Sequence, residues 1–466
     1  MNERIRPRVI LATCCLSLFL VAMDITIVNL ALPAIRRDLH ASLAGLQWTI
    51  DGYTIVIASF LVLAGSTADR LGRRRVFQIG LALFSAGSLL CSIAPTIELL
   101  VMFRIVQALG GAMLNPVAMS IIVNVFIDPR ERAQAIGVWG AVVGLSMAVG
   151  PVLGGFLVET LGWPAIFWIN VPIAMLAIVL TRRFVPESRA ERPRRIDLGG
   201  QAMIVIGLAT LTFSLIEGRS AGWSSPPIVG GFVLAACSFT ALVIYERRRL
   251  DPLIDPRFFR SLPFSMATLL AVITFTMFNG GLFLGSLYLQ ETRGLSAQDA
   301  GLCLLPIAAA LLVFSPISGR LVGGGRARLA IVSAGLALSA GALLLVALDL
   351  ATPLSRIIAA FGLFGMGFGL INAPITTAAV SGMPRAQAGV ASAVASTSRQ
   401  VGTTLGVALS GTMVGAAAAS PAFATATHAY WWLIAIGGVA IAIVGIIATG
   451  DRARQSVAAV RSLLDA

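Results

Sequence analysis

Residues 21–33, VAMDITIVNLALP, set a carboxylate, Asp24, inside a long apolar run. Two further charges share that kind of setting, Asp51 in QWTIDGYT and Arg104 in RIVQALGG. A charge at the bilayer centre costs about 2.5–3.5 kcal/mol on insertion scales, so such a side chain normally faces a cavity or a partner. A carboxylate beside arginine ionises; one without that contact, in a dry cavity, holds a proton. A carboxyl that alternates between these settings is what a proton-coupled carrier needs. A plainer arrangement also fits: Asp24–Arg104 or Asp51–Arg104 is a fixed ion pair that orders helices, and Asp51 is wet at the interface.

The elements that hold these charges are long and apolar. Of 466 residues, 57% are hydrophobic and 12% charged, against about 25% charged in a soluble domain. The mean hydropathy is +0.90. Stretches of about 20 apolar residues predict membrane-spanning helices. Fourteen are placed, at 9–32, 46–66, 76–94, 98–120, 135–158, 164–181, 199–217, 227–245, 264–289, 299–318, 329–348, 356–380, 389–414 and 429–449. The fold class is therefore an all-α integral membrane protein. At about 1.5 Å per residue, Asp24, Asp51 and Arg104 lie roughly 12, 8 and 9 Å from the outer ends of their helices, at a shared depth.

The formal net charge is +13, and all 34 basic residues are arginine. Most sit at the termini and in the even-numbered loops; Arg36, Arg37, Arg219, Arg293 and Arg356 fall in the odd-numbered ones, and Arg104 and Arg399 inside helices. The positive-inside rule then puts both termini in the cytoplasm, as an even number of helices requires. The basic charge reports orientation in a multi-pass cell inner (plasma) membrane protein, and nucleic acid is not an expected partner. The five cysteines fall in predicted helices without paired metal spacing, so no metal is expected. His40 and His428 lie in outer loops far apart, and no nucleophile–base pair suggests an enzyme. The first apolar run, interrupted by Asp24, reads as a retained helix rather than a cleaved signal.

The chain repeats itself. RAQAIGV at 132–138 returns as RAQAGV at 385–390, GGAMLNP at 110–116 resembles GFGLINAP at 367–374, and GSTADRLGRRR from Gly65 has a weaker counterpart, GRLVGGGRAR, from Gly319. All three offsets lie near 254, which maps the second, fourth and fifth helices onto the tenth, twelfth and thirteenth. The expected organisation is a six-helix bundle at 1–181, a segment 182–261 with a cytoplasmic joint, two extra helices and a linker, a second six-helix bundle at 262–450, and a cytoplasmic tail at 451–466. Parallel halves of this kind form transporters with a substrate site near the midplane.

Three further features stand out. In GSTADRLGRRR, Gly65 and Gly72 allow close approach and a tight turn. Asp69 can pair with Arg73 or Arg74 or cap a neighbouring helix, and with Arg70 the group makes a candidate charge latch. Helix five reads GAVVGLSMAVGPVLGG, where Gly140 and Gly144 form a small-residue face. Pro151 bends the helix, and Gly150, Gly154 and Gly155 flatten one side. Arg399 is the only charge deep in the second half; it can attract an anionic or zwitterionic group, pair with a first-half carboxylate, or bond to carbonyls. Gln107, Asn115, Asn372 and Gln400 line a cavity or tie helices together.

In combination, MDITIVNLALP, GSTADRLGRRR, RIVQALGGAM, GPVLGG, IFWINVP (166–172) and SRQVG (398–402) resemble the fourteen-helix drug:proton antiporter branch of the major facilitator superfamily. The resemblance spans nearly the whole chain. It implies the major facilitator fold, with Asp24 and Asp51 used for proton coupling or drug recognition and Arg104 in proton relay. It also implies that Asp69 stabilises an outward-open state and that Gly150 and Pro151 shape a seal between halves. There are departures: Ala108 stands where the fourth-helix motif usually has glycine, the Gly319 loop lacks the aspartate, Pro164 replaces arginine after Trp163, and the core of the last six helices has no carboxylate.

The expected function is export of lipophilic, cationic drugs or toxic small molecules across the cytoplasmic membrane by alternating access. The proton gradient drives it, with no cofactor; the partners are substrate, protons and membrane lipid, and the chain acts as a monomer. Alternatives are a dedicated exporter of one antibiotic or metabolite, and a transport-inactive membrane sensor.

Overall fold

The computed structural model describes residues 5–189, 197–249, 256–381, 388–415, 422–450, 453, 455 and 456. Residues 190–196 of the Arg-rich joint, 250–255 of the linker, the start of the second RAQ repeat and most of the 451–466 tail lie outside the described residues.

Among the described residues the regular structure is helical. The α-helices are α1 (Ile5–Asp38), α2 (Leu43–Leu71), α3 (Arg73–Ser92), α4 (Ile97–Val125), α5 (Pro129–Leu161), α6 (Ala165–Trp168), α7 (Asn170–Phe184), α8 (Leu198–Ala221), α9 (Pro226–Glu246), α10 (Leu262–Leu287), α11 (Ala297–Gly323), α12 (Ala327–Leu343), α13 (Leu354–Val380), α14 (Ala388–Val414) and α15 (Phe423–Ala448). Starts are set by side chains that accept the free amides of a first turn: Ser42 takes the Gly45 N–H at 3.1 Å and Thr96 the Leu99 N–H at 3.4 Å.

Eleven helical spans among the described residues are long and apolar enough to cross a membrane, or twelve when bent α2 counts as one. The single span expected at 164–181 is broken at Ile169 into α6 and α7, yet the two together form one apolar span, Ala165–Phe184. Helix α12, with 17 residues, is a shorter apolar helix. Large apolar side chains such as Met102, Met175, Val233 and Ile436 stand exposed while Asp24, Asp51 and Arg104 are buried. That inverts the pattern of a water-soluble protein and suits lipid as the surrounding solvent.

Helix α2 bends by 51° between Leu43–Leu61 and Leu63–Leu71. The Ser59 carbonyl, which a regular helix offers to the amide four residues on, takes a hydrogen bond from the Gln201 side-chain amide. A side chain inserted into the helical ladder in this way bends a helix.

The chain forms two compact units: Met1–Gln201 with Leu295–Leu302, and Ala202–Gly294 with Cys303–Ala466. In the first, α3 packs on α4, α4 on α2, α1 on α5, and α7 on α3 and α1. In the second, α10 packs on α14 and α12 on both α13 and α15. Under the 254-residue repeat, α1–α5 corresponds to α10–α14 and α3–α4 to α12–α13, so the two units share internal pairings. Close backbone approach makes these contacts: a Cβ on Gly110 would lie 2.3 Å from the Phe84 amide nitrogen, and one on Gly406 2.4 Å from the Thr276 carbonyl.

Candidate functional site

The buried charges of the first unit meet around Asp24. Arg104 of α4 forms an ion pair with Asp24 of α1, its Nη1 donating to Asp24 Oδ2. The same Nη1 donates to Gln107 Oε1 at 2.7 Å. Gln107 Nε2 donates to Asp24 Oδ1 and to Ser88 Oγ, both at 2.8 Å. Asn170, the first residue of α7, donates through Nδ2 to Asp24 Oδ1 at 3.2 Å and to Ser88 Oγ at 3.0 Å. Arg104 Nε donates to the Thr49 carbonyl of α2 at 3.2 Å, and its guanidinium lies 3.9 Å from the centre of the Tyr53 ring. Asp24, Ser88, Gln107 and Asn170 are fully buried, and Arg104 is 1% exposed. Charge-assisted bonds of this type are the strong ones, and a buried pair holds only when its remaining donors and acceptors are also satisfied.

Of the two pairings open to Arg104, the structure forms the one with Asp24. Asp51 is fully buried, which excludes the wet, interfacial reading in this conformation. Neither Asp51 carboxylate oxygen has a hydrogen-bond partner among the described residues. Thr54, one turn later, donates to the Asp51 backbone carbonyl at 3.2 Å. The two acids thus occupy different settings: Asp24 is bonded to three side chains, whereas Asp51 has only the Thr54 hydroxyl beside it.

At the α2–α3 turn, Asp69 pairs with Arg73 through contacts of 2.9 and 3.2 Å. The cap on α3 comes from elsewhere. Glu187 accepts the Arg74 N–H at 3.0 Å and the Arg75 N–H at 3.3 Å, and the Arg73 N–H donates to the Ser188 carbonyl at 2.9 Å. A carboxylate at a helix N-terminus is favoured by the free amides and the helix dipole. Gly72 is required here: its φ is +111°, and a Cβ would lie 2.6 Å from Glu187 Oε1. Gly65 is looser, since a Cβ there would meet Pro116 Cβ at an ordinary 3.8 Å, and Arg70 is exposed.

In helix α5, Gly144 is buried and GPVLGG packs at close range. A Cβ on Gly150 would fall 2.1 Å from Thr26 Oγ1, and one on Gly154 2.4 Å from Ile27 Cγ1. Gly155 abuts the first turn of α11, with Ala297 O 2.6 Å away, and Gly301 meets the Pro151 carbonyl at 2.4 Å by the same measure. All these residues belong to the first unit.

The remaining expected residues separate. Asn115 Oδ1 is buried without a partner among the described residues. Asn372 Nδ2 bonds to the Phe368 carbonyl of its own helix at 2.9 Å. Arg399 of α14 donates to Thr376 Oγ1 of α13 and lies 5.9 Å from the Phe275 ring of α10; Gln400 beside it is half-buried.

Five residues of these clusters carry no assignment from the sequence: Thr49, Tyr53, Ser88, Asn170 and Glu187. Two have a signal there. Asn170 is the polar residue of the apolar IFWINVP, and Glu187 is an acid at the head of an arginine-rich joint.

A bundle of membrane-crossing helices with a buried, fully bonded carboxylate–guanidinium cluster defines a polytopic membrane protein of the transporter class. The chain belongs to the Major Facilitator Superfamily, whose family model matches residues 14–407. It is similar to the multidrug resistance protein Stp of Mycobacterium tuberculosis, 36% identical over 86% of this chain and 74% of that protein. It is similar also to the tetracenomycin C resistance and export protein of Streptomyces glaucescens, 35% identical over 88% and 76%, and to the puromycin resistance protein pur8 of Streptomyces alboniger, 37% identical over 86% and 80%. The chain is a multi-pass membrane transporter and not an enzyme. Among the described residues no group of three or more His, Cys, Asp or Glu is placed to hold a metal ion.

Proposed function

We propose that this protein exports lipophilic toxic small molecules across the plasma membrane by alternating access, in exchange for protons. The contrast between Asp24 and Asp51 carries the reading. Asp24 accepts from Arg104, Gln107 and Asn170 and is the ion-pair partner of Arg104. Asp51 is buried with no charged partner among the described residues, and Thr54 is the hydroxyl beside it. Asp51 therefore carries the exchanged proton in this conformation and releases it when its surroundings become wet. Arg104, through the Thr49 carbonyl of α2, links the Asp24 cluster to the helix that carries Asp51. A membrane potential of 100 mV adds about 2.3 kcal/mol for each charge moved.

The fourteen-span plan, with both termini cytoplasmic, belongs to the same proposal, as do bundles at 1–181 and 262–450 joined through 182–261, a cytoplasmic tail at 451–466 and function as a monomer. The Asp69–Arg73 pair, with Gly65, Arg70 and Gly72, serves as the conformational latch. Gly144, Gly150, Pro151, Gly154 and Gly155 let α5 close tightly. A dedicated exporter of one antibiotic is the second reading, favoured by relatives named for single compounds, tetracenomycin C, methylenomycin A and puromycin.

Reconstituted transport of a chemically mixed dye panel under an imposed pH gradient tests the proposal. Asp51→Asn, which mimics the neutral acid, should bind dye as the wild type does and lose gradient-driven transport. Asp24→Asn should lower both stability and transport. Unchanged pH dependence in Asp51→Asn removes Asp51 from the coupling. Deletion strains sensitive to one scaffold alone favour the dedicated exporter.

A further inference from the structure

Among the described residues, Arg399 of the second unit forms no ion pair. Arg399 is the twelfth residue of the 27-residue α14, roughly 17 Å along the helix at about 1.5 Å per residue, which is near mid-membrane. The helices around it, α10, α13 and α14, contain no aspartate or glutamate. Its side chain is half-buried. An arginine that faces hydrocarbon at that depth is costly, so the exposed part of Arg399 faces polar space.

The groups beside it form a consistent surface. Arg399 Nη2 donates to Thr376 Oγ1, while its Nε is buried with no hydrogen-bond partner among the described residues. A guanidinium has five N–H donors, so several stay open to a ligand. On one side lies Phe275, 5.9 Å from the guanidinium carbon. Phe275 packs edge-on against Phe368 at 4.9 Å, and Phe368 stacks with Phe278 at 3.9 Å. Asn279 donates to the Phe275 carbonyl at 3.0 Å and to Thr403 Oγ1 at 3.1 Å, which fixes the aromatic group against α14. Arg399, Thr376, Phe275 and Asn279 all keep part of their surface open.

We propose that this face binds planar aromatic compounds through an anionic or strongly accepting oxygen: a phenolate, an enolised dicarbonyl or a carboxylate. The inference rests on the export reading and gives its substrate class. It reverses the charge expected of the substrate from the sequence. The guanidinium fork matches such oxygens in geometry and charge. Phe275, half-buried and backed by the buried Phe368 and Phe278, supplies the apolar ring that an aromatic compound packs on. A cationic drug finds no carboxylate on these helices and meets repulsion from Arg399.

Fluorescein, a planar anion, and ethidium, a planar cation, are the probes, with binding to the purified full-length protein read by fluorescence anisotropy. Arg399→Gln should raise the fluorescein Kd at least about tenfold, the scale of a lost charged hydrogen bond, and leave ethidium unchanged or tighter. Arg399→Lys should recover part of the affinity, since it keeps the charge and loses the fork. Phe275→Leu, which leaves the charge in place, should weaken fluorescein binding as an independent variant. Equal fluorescein binding by the wild type and Arg399→Gln, or a wild-type preference for ethidium, overturns the proposal. Vesicle transport separates the two readings. If the wild type moves neither dye under a pH gradient while Arg399-dependent fluorescein binding persists, the export reading fails and the binding face stands.

Discussion

Asp24 takes its donors from two helices, Arg104 and Gln107 from α4 and Asn170 from α7, and Ser88 of α3 ties the latter two together. Asn170→Leu removes donors from both Asp24 and Ser88 in a site closed to water. It should cost about 1–3 kcal/mol of stability, read by thermal unfolding, and should alter the pH profile of transport by loosening Asp24. A similar loss from Gln107→Leu, and a smaller one from the double variant than the sum of the two, would mark the network as a unit. Unfolding unchanged in both variants would show that the cluster does not hold the first unit together. Asp24 and Arg104 were legible in the sequence, because a charge in an apolar run needs a reason. Ser88 and Tyr53 were not: a serine hydroxyl in a membrane helix is satisfied equally well by its own backbone, and an aromatic ring there is ordinary apolar packing.

The elements show the same division. The turn between α2 and α3 was legible through its glycines and arginines, but the cap on α3 comes from Glu187, more than 110 residues further along the chain. Glu187→Ala frees two amides of the first turn of α3 and should destabilise the protein by about 1 kcal/mol. Asp69→Asn should leave that cap intact and affect transport instead, provided Asp69–Arg73 works as a latch; equal transport by wild type and Asp69→Asn would count against that role. The α5 and α4 glycines make a sharper case. A Cβ on Gly110 meets backbone atoms of Phe84 and Gly80, which cannot rotate away, so Gly110→Ala should cost about 1–3 kcal/mol through overpacking of α3 on α4. Gly319→Ala, with nothing within 4 Å of its Cβ position, should be neutral. The break at Ile169 falls just before Pro172, which has no N–H to bond the Trp168 carbonyl one turn back.

For the whole molecule, the 254-residue repeat reappears as matched pairings, α1–α5 with α10–α14 and α3–α4 with α12–α13. The repeat does not extend to chemistry: the first unit carries Asp24, Asp51 and Arg104, whereas α10, α13 and α14 carry Arg399 alone among acidic and strongly basic residues apart from Arg356 at a helix end. Under the two proposals made above, that asymmetry places proton exchange in one unit and recognition of an acceptor oxygen in the other. The fourteen-span plan predicts that reporters fused to the two termini fall on the same side of the membrane, opposite to a tag in the His40 loop. Termini on opposite sides would require an odd number of spans and a different reading of the arginine distribution.

Apolar length, arginine placement and internal repetition are properties of the chain itself, because the bilayer acts on each segment by its composition and on each loop by its charge. From these the sequence determined a helical, multi-pass membrane transporter and marked Asp24, Asp51, Arg104 and Arg399 as charges in need of partners. Which partner each one finds depends on residues brought together from distant segments, and local composition does not encode that. Only the tertiary structure decided that Arg104 belongs to Asp24 and not to Asp51, and that Glu187 caps α3, because each outcome is set by which side chains the packed helices bring within about 3 Å.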